Sequence, residues 1–175
     1  MHYKNTTTKY GLISKIFHWL SAALLIVQIP LGFYLVDLDF GDERLKIEKI
    51  HLIIGLAIFY LIILRLLNNF VNPTPKIDPS KFLGQKLLAK TNHLLLYVAI
   101  LSITVSGILK KLFNGETLNL FFREIALKEN FELADQFYDI HIFSNYSVVV
   151  LVTIHILAVI FHKVFFNENL IKKIL

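Results

Sequence analysis

From Ile140 to His162 the chain runs without a single Lys, Arg, Asp or Glu, and two histidines, His141 and His155, stand fourteen positions apart inside that run. Such a run is long enough to cross the hydrocarbon core of a bilayer, which takes about 20 residues. Only a helix satisfies the backbone polar groups of one lipid-exposed segment there. Fourteen helical steps rise roughly 21 Å and bring the second ring back to within about 40° of the first. Two imidazoles therefore share one helix face at two depths, a geometry suited to holding two cofactors. Imidazole is costly in hydrocarbon, so its presence there points to a functional site.

The rest of the chain has the same character. Hydrophobic residues make up 55% of it and charged residues 18%, and the apolar residues come in long blocks rather than short periodic stretches. The blocks predict an all-α membrane protein, one domain over residues 1–175, with spans at about 16–36, 50–70, 91–109 and 142–162. Arg65 interrupts the second span near its end. The first is too long for a signal peptide and lacks a small-residue cleavage pattern, so it reads as a retained helix; Pro30 should kink it rather than end it. The chain has no cysteine. That excludes disulfides, thiolate zinc sites, iron–sulfur clusters and covalent heme attachment, and leaves histidine as the main candidate metal ligand.

Orientation follows from the basic residues. Lys4, Lys9, Lys15, Arg65, Lys76, Lys81, Lys86, Lys90, Lys163, Lys172 and Lys173 fall on one side of the four spans, with only Asp78 and Glu168 opposing them. The other side carries Arg44, Lys46, Lys49, Lys110, Lys111, Arg123 and Lys128 against eleven acids. The positive-inside rule places the first side, with both termini, in the cytoplasm. The net charge of +5 thus reflects topology, and no basic–aromatic cluster argues for nucleic acid. Asn72-Pro73-Thr74-Pro75 and Asp78-Pro79 mark a stiff inner loop. In the long third connection, Phe121 to Tyr138 mixes apolar residues with Glu124, Lys128, Glu132 and Asp135 and predicts an amphipathic helix on the outer surface.

This topology gives each histidine a depth. His18 and His155 lie near the inner side, His51 and His141 near the outer side, so two opposed imidazole pairs result. Small residues stand one turn from three of them, Ala22 after His18, Gly55 after His51 and Ala158 after His155, where a porphyrin plane needs a gap; His141 has Asn145 instead. Small residues also serve helix contacts in general. His93 shares the inner level and competes with His18 and His155 as a ligand. His162 and His2 read as interfacial.

Tyr10 through Trp19 with the His18-Trp19 pair, Ile50-His51 with Gly55, the stretch from Leu64-Arg65-Leu66 to Pro73-Thr74-Pro75, Asn92-His93-Leu94 to Tyr97, and the His141/His155 pair together resemble the bacterial cytochromes b561. These are four-helix membrane proteins holding two b-type hemes, and the resemblance covers nearly the whole chain. It implies that His18 with His155 binds the inner heme iron and His51 with His141 the outer, and that His93 is a non-ligand. It also implies electron exchange with the quinone pool, ubiquinone or menaquinone, and for some members oxidation of superoxide.

Axial ligation by two histidines leaves no open position on the iron, so the expected function is outer-sphere transfer of single electrons. Arg65, fourteen residues after His51 and on nearly the same face, is placed to pair a heme propionate or a quinone, with His93 as a second inner contact and Lys111 as an outer one. Arg44, Lys46, Lys49, Lys110 and Lys111 could steer an anionic donor, although basic residues snorkelling at helix ends explain the same positions. The alternatives are a cytochrome subunit of a larger oxidoreductase, a heme-free transporter or proton relay, and a scaffold.

Overall fold

The backbone amides of a long apolar segment have only each other to bond to in lipid. In the computed structural model, which describes residues 3–7, 9–73, 75, 83–120 and 123–175, they do so in four long helices. These are α1 (Leu12–Asp37), α2 (Asp42–Val71), α3 (Gln85–Phe113) and α4 (Phe131–Phe165). Each is long and apolar enough to cross a membrane. Pro30 lies inside α1, which runs on through it. His2, Thr74, Lys76, Asp78, Pro79, Lys81 and Phe121 lie outside the described residues.

The third connection corrects the expectation of a separate surface helix. Leu118–Asn119 (β1) pairs antiparallel with Glu124–Ile125 (β2), Leu118 facing Ile125. Helix then starts at Phe131, where the Asn130 side chain accepts a hydrogen bond of 3.1 Å from the Leu133 amide and caps the first turn. No Gly or Pro occurs from residue 116 to 175, so nothing breaks the helix between Phe131 and the span. Glu132 and Asp135 therefore ride on the first turns of α4 itself.

α1 packs along α2 and α3 along α4, with a lesser contact between α2 and α3, while the α4 backbone stands off from both α1 and α2. The tightest packing is Ile58, Ile62, Ala99, Ile100 and Val148. Val148, fully buried, lies seven residues from His141 and seven from His155, and Ile58 lies seven from His51 and seven from Arg65. An apolar plug thus fills the bundle midway between the two histidine levels. Ile26, Val27, Phe143, Val150 and Val164 face outward, as lipid contact requires; in water a belt of this kind would be an aggregation surface.

A short α5 (Ile171–Ile174) returns to the start of α1, so both ends of the described chain meet at one end of the bundle. Trp19 Nε1 donates to the Ile174 carbonyl at 3.0 Å, and Lys15 Nζ donates to the Leu175 carbonyl. Glu168 clasps this segment by accepting from Lys173 Nζ and His162 Nδ1, both at 3.0 Å. Burial pushes the Glu168 carboxyl up, but the hydrogen bonds from Lys173 and His162 outweigh it and hold its pKa below the ordinary carboxylate value. A group whose pKa is depressed by folding stabilises fully above its unfolded pKa, and that contribution is lost as pH falls through the folded one. Protection of the backbone amides across residues 166–175, taken relative to their intrinsic exchange rate at each pH, is accordingly expected to fall as pH drops below about 4.3, and Glu168→Gln should show the lower protection already at neutral pH. Equal exchange in the variant and the parent would mean that the clasp does not hold the segment.

Candidate functional site

Five histidines gather at two levels between the helix pairs. At the outer level α2 supplies His51 and α4 supplies His141, with ring centroids 6.2 Å apart. At the inner level His18 of α1 and His155 of α4 stand 6.4 Å apart, and His93 of α3 lies 5.4 Å from His155. Both the 6.2 Å and the 6.4 Å pairs bridge helices whose backbones make at most slight contact with each other. A planar group needs that kind of gap.

The spacing tests whether these residues fit a six-coordinate heme. Two imidazoles on opposite sides of one metal have ring centres about 6.3 Å apart, from a metal–nitrogen bond of about 2.0–2.1 Å and roughly 1.1 Å more from ring nitrogen to ring centre. His51–His141 and His18–His155 meet that requirement. His93–His155, at 5.4 Å, is closer than two imidazoles on opposite faces of one heme iron would stand.

The surroundings of the outer pair are built to orient it. His141 Nδ1 sits 2.7 Å from the Ile103 carbonyl, with Ser106 Oγ at 3.5 Å, so its Nδ1–H is fixed and Nε2 is left to bind a metal. A methyl group at Gly107 would come within 3.0 Å of the His141 ring, and one at Gly32 within 3.2 Å of His51 Cε1. The two glycines on α1 and α3 thus let the rings lie against bare backbone. Gly32, Ser106, Gly107 and Gln28 join the site beyond the residues expected from the sequence, where only Gln28, a strongly polar side chain inside an apolar span, stands out. Gly55, expected beside a cofactor plane, has Gln28 as a neighbour: a Cβ there would stand 3.3 Å from Gln28 Nε2.

At the inner level Arg65 Nη2 lies 3.4 Å from His18 Nδ1, with its guanidinium carbon 5.6 Å from the Tyr97 ring centre. Tyr97 OH accepts from Asn69 Nδ2 at 2.7 Å. Among the described residues no carboxylate stands within ion-pairing distance of Arg65. Lys111, by contrast, lies between Glu48 at 3.1 Å and Glu116, at a cavity also lined by Leu45, Lys49 and Leu52. Its charge is matched locally by two acids. Lys110 Nζ rests 5.5 Å from the Tyr138 ring centre.

Comparison with known proteins bears on this arrangement. The family model described as prokaryotic cytochrome b561 matches residues 9–175. "Cytochrome b561 homolog 2" of Escherichia coli (strain K12) is 31% identical over 179 residues, covering 100% of this chain and 95% of that protein. "Probable superoxide oxidase CybB" of Yersinia pestis is 25% identical over 174 residues, covering 97% of this chain and 94% of that one.

Proposed function

Because the chain belongs to the prokaryotic cytochrome b561 family, and so is a heme-binding membrane cytochrome of electron transport, we propose that it holds two b-type hemes and passes single electrons between the outer face of the inner membrane and the quinone pool. The observation that carries this reading is the pair of histidine couples at 6.2 and 6.4 Å, at two levels and across helices that stand apart. His51 with His141 would hold the outer group and His18 with His155 the inner one. A b-type heme between two imidazoles supplies one-electron redox chemistry with no open coordination position.

The chain's own residues do the rest. The Ile103 carbonyl fixes the tautomer of His141. The plug around Ile58 and Val148 excludes water between the levels. Arg65 and His93 offer polar contacts at membrane depth for the carbonyls of a quinone, with Lys111 an outer contact of lesser reach because Glu48 and Glu116 engage it. The basic side, with Lys4, Lys9, Lys15, Lys86, Lys90, Lys163, Lys172 and Lys173, faces the cytoplasm.

For the donor, the name of the Yersinia pestis relative favours superoxide. Each superoxide would give up one electron and leave as dioxygen, and two such events with two protons would convert one quinone to quinol. Rapid mixing of the oxidised, purified protein with superoxide is the test. Heme reduction faster than superoxide decays by itself, followed by reoxidation when ubiquinone is present, is the expected result. Hemes that stay oxidised under superoxide but are reduced by quinol would reverse the direction of flow.

A further inference from the structure

Gln28 is a strongly polar side chain in the middle of the apolar α1, and it is spent on His51. Its Nε2 donates to the His51 backbone carbonyl at 2.9 Å across the α1–α2 contact, over the space that Gly55 leaves open. Among the described residues, two buried side-chain atoms are without a hydrogen-bond partner, and they belong to this same pair of residues: Gln28 Oε1 and His51 Nδ1. One can only accept, and the other donates whenever it carries the ring proton.

Gly32 adds a second observation. It follows Gln28 by four residues, one helical turn along the same face of α1. A Cβ there would lie 3.2 Å from His51 Cε1 and 3.9 Å from His51 Nδ1. The Nδ1 edge of His51 therefore faces the strip of α1 that carries Gln28.

An imidazole that binds a metal through Nε2 carries its proton on Nδ1, and that proton finds a fixed acceptor in most metal sites. His141 has the Ile103 carbonyl for this purpose. His51 has no backbone carbonyl in that role. We infer that Gln28 is the positioning residue of the outer site: with heme bound, its Oε1 accepts the His51 Nδ1 proton, orients the ring and sets the electron donation of that ligand. The inference rests on His51 being a heme ligand. The two ligands of the outer site then differ in kind, one tuned by a backbone carbonyl that mutation cannot reach, the other by a side chain that it can.

Redox titration of the purified, heme-loaded protein tests this with two variants. The wave belonging to the outer heme is the one missing in His51→Ala. Gln28→Met keeps the size and loses both hydrogen bonds; Gln28→Glu keeps an acceptor at the same reach and loses the donor to the carbonyl. A ligand without an acceptor donates less to ferric iron, so Gln28→Met should raise the outer potential, changing the ferric-to-ferrous ratio by about tenfold, or about 59 mV for one electron. The inner wave should not move, and Gln28→Glu should return the outer wave to the parent value or below it. An unmoved outer wave in Gln28→Met overturns the inference, as does a Gln28→Glu wave that matches Gln28→Met, since the carbonyl bond alone would then matter. Where Gln28→Met loses the outer heme, Gln28→Glu decides alone: a potential at or below the parent supports the role, and a higher one, or loss of that heme too, overturns it. If His51→Ala retains both hemes, the failure belongs to the ligand assignment instead.

Discussion

His51→Ala and His141→Ala are each expected to lose the outer heme and keep the inner one, while His18→Ala and His155→Ala do the reverse. The two histidine levels share no residue and an apolar plug lies between them, so loss at one level should leave the other intact. Each variant should show half the heme of the parent in the reduced pyridine adduct, and the outer-site pair should share one residual spectrum and the inner-site pair the other. His93→Ala is the control within the same experiment. Its ring lies 5.4 Å from His155, nearer than the about 6.3 Å expected for two imidazoles on opposite faces of one heme iron, so this variant should keep both hemes. Loss of the inner heme in His93→Ala with retention in His18→Ala would exchange the roles of those two residues. Retention of both hemes in all four ligand variants would leave the histidine couples as ordinary interhelical contacts.

Much of this could be read from the sequence because the constraint was severe. Hydrocarbon admits few solutions for the backbone, so four long apolar blocks led to four helices without any knowledge of packing. The third connection was harder. Charges at Glu132 and Asp135 suggested a separate surface helix, yet a helix is ended by caps and breakers rather than by polarity. With no Gly or Pro after Gly115, α4 continues outward from the span to its cap at Asn130. Hydropathy marks where the lipid stops; hydrogen bonding marks where the helix does.

The histidine levels were legible for a similar reason. Fourteen residues is close to four helical turns, so depth and face followed from counting along α2 and α4. What counting along one helix could not reveal was the neighbour across a gap. Gly32 reaches His51, Gly107 reaches His141, and Gln28 reaches the His51 carbonyl, each from another helix. A glycine on an apolar face is compatible with any close contact, so its specific partner appears only once the helices are packed. Gln28 alone carried a usable warning, since a strongly polar side chain inside a span calls for a partner.

Arg65→Leu is expected to slow quinone reduction by roughly 10- to 150-fold, the equivalent of one charge-assisted hydrogen bond of about 1.5–3 kcal/mol, while initial heme reduction by the outer donor stays near the parent rate. The reason lies in the unmet charge. An arginine inside a membrane span is costly unless it is paired, and among the described residues no carboxylate offsets it. Tyr10 does not serve as an anion either: burial raises its pKa and Tyr97 adds to the rise, against the opposing pull of Arg65 and Lys173. His18 Nδ1, at 3.4 Å, cannot accept from the guanidinium once His18 binds a metal through Nε2, because that nitrogen then carries the ring proton. The Arg65 fork must therefore find another acceptor, and the acceptors that the proposed function brings to this level are a heme propionate and a quinone carbonyl. Heme content and the inner potential separate the two. A variant with both hemes, a parent-like inner potential and slow quinone reduction assigns Arg65 to the quinone; a raised inner potential assigns it away from a propionate as well, since removing a cation beside a carboxylate should lower that potential. If the donor step is slowed and quinone reduction spared, electrons enter at the inner level, and the direction of flow proposed here is reversed.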